Sequence, residues 1–179
     1  MNRRFFTSLK LSLAATVMLA MGAAQAHAVD TKIYGGAECV RGWQSGGSIL
    51  YDSGSIYSDS TTYPLDVQCP VIHDSKNTSI SSGKVRIVDL NNSTGANFLC
   101  SLNSAIYTES TFFVVSTGLV SNTTSPTFAS SIRQEINFGA LQIAAASGHH
   151  YVTCRIPPRS AKPGNFASLI DSYEVTEIQ

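Results

Sequence analysis

The chain has 179 residues, with 12 basic and 12 acidic side chains, so its formal net charge is zero and only 13% of it is charged. Its polar residues are mainly 25 serines and 15 threonines. A neutral, hydroxyl-rich surface does not attract a polyanion, so we expect no nucleic-acid partner. The length suits one domain with a sizeable core.

The first 26 residues have the form of a secretory signal peptide. Arg3 and Arg4 give a charged start, an apolar run extends from Leu9 to Met21, and Ala24-Gln25-Ala26 gives a small-residue exit. The run is shorter than the roughly 20 residues that cross a bilayer. We therefore predict cleavage after Ala26. The mature domain, residues 27–179, is then secreted, periplasmic or at the cell surface, without inserting into a membrane.

No long stretch of the mature chain has helical periodicity, and short runs rich in Val, Ile, Phe, Tyr and Thr recur between turn residues. This pattern is typical of an all-β domain. Weak strand signals at 48–51 and 55–57 precede stronger ones at 65–71, 85–90, 98–102, 111–117, 132–138, 151–156 and 169–178. Segment 141–147 is ambiguous between helical turn and strand. About eight strands at roughly 8–12-residue spacing predict a single-domain, two-sheet β-sandwich, with a jelly roll as one form of it.

All four cysteines follow the predicted leader, so we expect disulfides formed in an oxidising compartment. Four cysteines allow three pairings. We favour Cys39–Cys69 with Cys100–Cys154, because cysteines that are neighbours along a chain of antiparallel strands tend to meet. Their wide spacing, with no C-x-x-C motif, argues against a zinc site or a redox pair.

Five features of the mature chain resemble small secreted bacterial β proteins whose function is uncharacterised. They are Cys69-Pro70, the Val85–Asp89 strand, Cys100, the Tyr151–Cys154 strand and the closing Ser172–Val175. The resemblance implies a secreted, disulfide-bonded β domain. It provides no catalytic residue to transfer to this chain.

Four aromatic residues form the candidate ligand-binding surface: Trp43, Tyr51, Tyr57 and Tyr63. Aromatic rings on a rigid β scaffold stack on sugar rings, while Ser and Asn side chains hydrogen-bond the sugar hydroxyls. The alternative interpretation is that the same rings fill the core or cover a disulfide, because aromatic side chains dominate core burial.

Cleavage after Ala26 would make His27 the N-terminal residue, which suggests a metal site. Its α-amine and Nδ1 would chelate copper(II), which favours tetragonal nitrogen sites, and His73, His149 or His150 would complete the brace. The secreted lytic polysaccharide monooxygenases use this arrangement, but the residues after His27 carry no signature of those enzymes. Since strand neighbours point to opposite faces, His149 and His150 should not share one metal. We expect both to be exposed at the start of a strand.

Apart from the copper site that His27 suggests, no set of residues in the sequence is typical of a catalytic site. The S-x-x-K match at residues 81–84 has no companion motif, and its Lys84 opens a predicted strand, whereas the penicillin-binding enzymes place this motif on a helix. We therefore predict a non-enzymatic, cofactor-free extracellular module that binds a carbohydrate or a protein. Two alternatives stay open: a copper-dependent oxidative enzyme that uses His27, and a structural coat or matrix protein that self-associates through sheet edges.

Overall fold

The computed structural model describes residues 29–43, 45–72, 79–90, 97–107, 109–122, 133–141, 148–159 and 167–178. The strands in these ranges are β1 (Val29–Gly35), β2 (Val40–Arg41), β3 (Ile49–Asp52), β4 (Ser55–Ser58), β5 (Leu65–Val71), β6 (Ser79–Val88), β7 (Leu99–Tyr107), β8 (Phe112–Ser116), β9 (Val120–Ser121), β10 (Arg133–Phe138), β11 (Gly148–Ile156) and β12 (Leu169–Ile178). A 3-10 turn occupies Gly36–Glu38. The predicted leader and segment 142–147 lie outside the described residues.

The strands form two antiparallel sheets. Sheet A has the order β10-β6-β12-β4-β3, and β1 pairs with β12 beyond the short stretch that β4 occupies. Sheet B has the order β2-β5-β11-β7-β8, and β9 pairs with the start of β7. This architecture confirms the predicted two-sheet β-sandwich. In the described ranges, no helix is long and apolar enough to span a bilayer.

One hydrophobic core lies between the sheets and takes alternate residues from each strand. In β6, Val85 and Ile87 are fully buried. The alternate residues Arg86 and Val88 lie on the other face of the sheet. The core side chains of sheet B come mainly from β5, β7 and β11 and include Leu65, Val67, Cys69, Cys100, Leu102, Val152, Cys154 and Ile156. The period of two seen in the sequence thus assigns each strand its buried face.

Both disulfides lie within sheet B, and both have the predicted pairing. Cys100 and Cys154 are direct cross-strand partners in β7 and β11. Cys39 precedes β2 and bonds Cys69 of β5, next to the paired residues Val40 and Gln68. All four cysteines are buried. These bonds join neighbouring strands within sheet B and do not join the two sheets.

Two tyrosines of sheet A connect it to the end of β5 in sheet B. Tyr34 and Tyr173 stack with ring centroids 4.8 Å apart. The Tyr173 hydroxyl donates to the Pro70 carbonyl at 2.6 Å, and the Tyr34 hydroxyl donates to the Ile72 carbonyl at 3.0 Å. Burial raises the pKa of both phenols, so each stays protonated as a donor.

Candidate functional site

The side of sheet B that faces away from the core carries aromatic and polar side chains. In β11, Val152, Cys154 and Ile156 are buried in the core, so the odd-numbered residues from 149 to 155 lie on the opposite side. The strand register adds the odd-numbered residues of β7 and the even-numbered residues of β5 and β8. We call this side outer face B.

An aromatic row crosses outer face B from β8 to β11 and consists of Phe112, Tyr107, His149 and Tyr151. Phe112 and Tyr107 are cross-strand partners with ring centroids 5.1 Å apart. The His149 ring lies 5.6 Å from the Tyr107 ring and 5.6 Å from the Tyr151 ring. These separations are typical of favourable offset contacts, so the rings hold one another in position.

Tyr151 links the aromatic row to a set of polar groups. Burial, with a smaller contribution from Tyr107, raises the pKa of its phenol, so the hydroxyl stays neutral. Its cross-strand neighbour Asn103 donates from Nδ2 to Thr153 Oγ1 at 2.9 Å and to Ser101 Oγ at 3.1 Å. The hydroxyls of Ser101 and Thr153 lie 2.8 Å apart. This network fixes the Thr153 side chain, which lies on the same side of β11 as Tyr151.

Asp66 of β5 and Arg155 of β11 form an ion pair on the same face. They are cross-strand partners, and the guanidinium donates from Nε at 2.7 Å and from Nη2 at 3.2 Å to the two carboxylate oxygens. Hydrogen bonding to Asp66 raises the pKa of Arg155. The pair neutralises its own charge and leaves further guanidinium N–H groups for a ligand.

An open cleft of about 470 Å³ lies over the Asp66–Arg155 pair, Tyr151 and Thr153. Trp43, which follows β2, is fully exposed and lines it. The Gly42 amide donates to the Asp66 carbonyl at 2.7 Å, and a Cβ at Gly42 would lie 3.1 Å from that oxygen. A glycine therefore allows this segment to lie close against β5, which positions the indole. Other lining residues include Gln68, Leu119, Tyr151, Thr153 and Arg155.

The four aromatic residues predicted as a binding surface do not share one face. Trp43 lines the cleft, whereas Tyr57 is paired with Leu169 on the side of sheet A that faces away from the core. The Tyr51 hydroxyl donates to the carbonyl of Cys39 at 3.1 Å, beside a disulfide. Tyr63 is exposed and lies against Gly46. A Cβ added at Gly46 would be 3.1 Å from the Tyr63 Cγ.

The two neighbouring histidines point to opposite sides of sheet B, as predicted. His149 is exposed in the aromatic row. The prediction that His150 is exposed is wrong, because its side chain lies on the core side and is buried. His27 and His73 lie outside the described residues, so the copper brace stays a prediction. The described part of the chain contains no group of three His, Cys, Asp or Glu residues able to hold a metal.

Several residues of outer face B were missed as a site in the sequence. The alternation in β11 showed that Tyr151, Thr153 and Arg155 share one face, opposite Val152 and Cys154. That pattern alone was a usable signal for an outward-facing aromatic and polar stripe. The partners of this stripe on β7 and β8 depend on strand order, which the alternation does not show.

No protein-family model matches the sequence, and no curated protein matches it. Among solved structures, the chain is similar to a low-affinity xylan-binding module from the gut symbiont Roseburia intestinalis. The two share 10% sequence identity with a TM-score of 0.41, over 84% of this chain and 96% of that chain.

Proposed function

We propose that the protein is a non-enzymatic module that binds a neutral carbohydrate outside the cytoplasm, in the cleft on outer face B. One observation carries the proposal: a fully exposed Trp43 and the Tyr151 ring border a cleft lined by amide, hydroxyl and guanidinium groups. Export is supported by two disulfides, which persist in oxidising compartments.

The chemistry of the cleft matches that of a sugar. A sugar ring has C–H groups that pack on an aromatic ring and hydroxyls that both donate and accept hydrogen bonds. Trp43 and Tyr151 offer the apolar contact, while Gln68, Thr153 and Arg155 offer hydrogen-bonding partners. Because the cleft is open and buries little of a ligand, we expect weak binding, with Kd between roughly 1 μM and 1 mM.

The charges of the cleft support binding without hydrolysis. Most glycoside hydrolases need two carboxyl groups on either side of the scissile bond. Among the described residues that line the cleft, Asp66 is the one acid, and both of its oxygens accept hydrogen bonds from Arg155. Its carboxylate therefore holds an arginine in place instead of acting as an acid or base.

Affinity gel electrophoresis tests the proposal with soluble neutral polysaccharides, including xylan, glucan, mannan and galactan, cast into native gels. We expect at least one of them to slow the wild-type protein, Trp43→Ala to abolish the effect, and Tyr57→Ala to leave it unchanged. Tyr57→Ala is a matched control because it removes an aromatic ring from the other sheet. Unchanged mobility of the wild-type protein in every gel would refute the proposal, as would full retardation of Trp43→Ala.

A second candidate function, self-association through a sheet edge, is favoured by β8. This edge strand of sheet B exposes Phe112, Phe113 and Val114 and carries no charge. Uncharged apolar edge strands pair readily with other chains. Sedimentation equilibrium tests this function. If it is correct, the measured mass rises with protein concentration. Val114→Lys should abolish this rise, and Val40→Lys, on the other edge of sheet B, should preserve it. A constant monomer mass would exclude this function.

A further inference from the structure

We infer that the cleft and the aromatic row form one continuous site, which takes an extended neutral oligosaccharide and not a single sugar. The inference rests on the proposed function, adds the length of the ligand and gives a reason for its neutrality. Tyr151 belongs to both parts, since its ring contacts His149 of the row and also lines the cleft.

The length of the site exceeds that of one sugar unit. The cleft contains Arg155 at one end of the outward-facing β11 residues, and the row contains His149 at the other end. Six residue steps along a strand span about 20 Å at roughly 3.3 Å each. A ligand that follows β11 from the cleft to the row is therefore a chain of several units.

The two parts differ in what they offer a ligand. The cleft combines aromatic rings with hydrogen-bonding groups, as at Gln68 and Thr153, so it can distinguish sugars by their hydroxyls. The far end of the row, Tyr107 and Phe112, is 49% and 58% exposed although the two rings touch each other. These rings offer apolar surface and one phenol, so they add affinity for further units with little discrimination between sugars.

The charge of the site favours a neutral chain. On β5, β7, β8 and β11, the charged side chains of outer face B are Asp66 and Arg155, which form a bidentate pair. An anionic chain gains little from a cation already paired with a carboxylate, and it is repelled by that carboxylate. A polymer without charged groups has no such conflict.

Titration calorimetry with two oligomers tests the inference. The probes are a dimer and a hexamer, prepared by partial hydrolysis of the polysaccharide that slows the wild-type protein in the gels. We expect the hexamer to bind about tenfold or more tightly than the dimer. Tyr107→Ala should weaken hexamer binding about three- to tenfold and leave dimer binding unchanged, whereas Trp43→Ala should weaken both.

The unchanged dimer affinity of Tyr107→Ala also shows that the variant is folded. Tyr57→Ala is the control for removal of a ring elsewhere and should change neither affinity. Equal affinities of the wild-type protein for dimer and hexamer, or unchanged hexamer binding by Tyr107→Ala, would overturn the inference and leave the proposed function standing. If no polysaccharide slows the wild-type protein, the proposed function itself fails.

Discussion

The two outer faces of the sandwich have opposite chemistry. The side of sheet A that faces away from the core, outer face A, carries a network of ion pairs. Arg86 contacts Glu174 at 2.9 Å and Glu135 at 3.2 Å, and Lys84 lies 3.3 Å from Glu174. Outer face B carries the Asp66–Arg155 ion pair, an aromatic row and a network of hydroxyl and amide groups.

This difference is the reason why we assign the proposed ligand to outer face B. On outer face A, neighbouring strands place opposite charges next to each other, as with Glu135 and Arg86, which are direct cross-strand partners. Such pairs favour the correct register and interact with each other and with water. On outer face B, the rings of Trp43 and Tyr107 expose apolar surface to water, which is unfavourable. Contact with the C–H groups of the proposed sugar ligand would remove that surface from water.

The largest effect we expect concerns the disulfides that lie only in sheet B. Replacing Cys100 and Cys154 together by alanine should lower the free energy of unfolding by about 4 kcal/mol, because the bond closes a loop of 54 residues. Urea unfolding followed by circular dichroism measures the change. A loss below about 1 kcal/mol would show that sheet B does not depend on this bond.

A smaller effect, on binding alone, is expected for Tyr151→Ala. This ring belongs to both the row and the cleft, so its loss should weaken binding of the hexamer about thirtyfold, or about 2 kcal/mol. The measurement is titration calorimetry beside Tyr57→Ala, which removes a ring of outer face A. Equal losses in the two variants would contradict the assignment of the ligand to outer face B.

Tyr173→Phe tests the link between the sheets and should cost about 1 kcal/mol at neutral pH, the contribution of its hydrogen bond to Pro70. Burial raises the pKa of the Tyr173 phenol in the folded protein. Its stabilising effect is therefore complete below the ordinary tyrosine pKa near 10 and decreases as the pH rises above that value, since the unfolded chain loses its proton first.

Urea unfolding at pH values from 9 to 12 measures this dependence. The wild-type free energy of unfolding should fall by up to about 1.4 kcal/mol per pH unit for each such tyrosine, and Tyr173→Phe should have a shallower slope. Tyr34 and Tyr151, whose pKa values are also raised by burial, contribute to the slope that remains. Identical slopes for the two proteins would contradict this role of Tyr173.

The smallest effect is expected on outer face A. Glu174→Gln removes the partner of Arg86 and Lys84, but these side chains are partly exposed, so the loss should stay below about 1 kcal/mol. The effect should shrink further in high salt. Carbohydrate binding should not change. Weaker binding of a neutral oligosaccharide by Glu174→Gln would indicate that part of the site lies on outer face A, which contradicts our assignment to outer face B.

The sequence predicts much of the fold because each strand carries local information. Alternation of apolar and polar residues at 65–71 and 151–156 identified strands and their buried faces, and the structure confirms both. The pairing of Cys100 with Cys154 followed from chain order alone. The exposure of His150 was misjudged, because the place where β11 begins relative to the core depends on sheet packing.

The candidate site is harder to predict because its parts come from distant segments. Trp43 follows β2, Gln68 lies in β5 and Thr153 in β11, and strand order brings them to one cleft. The sequence grouped Trp43 with Tyr51 and Tyr57, which are close along the chain, but the structure separates these residues between the two sheets. Proximity in sequence was a poor guide because β2 and β3 belong to different sheets.

The most direct test of ligand binding on outer face B is a ¹⁵N–¹H correlation spectrum recorded while the hexamer is added to the full protein. We expect shifts at the Trp43 indole N–H and at the backbone amides of Gln68, Tyr151 and Thr153, with no change at Arg86 on outer face A. Shifts confined to outer face A would contradict binding on outer face B.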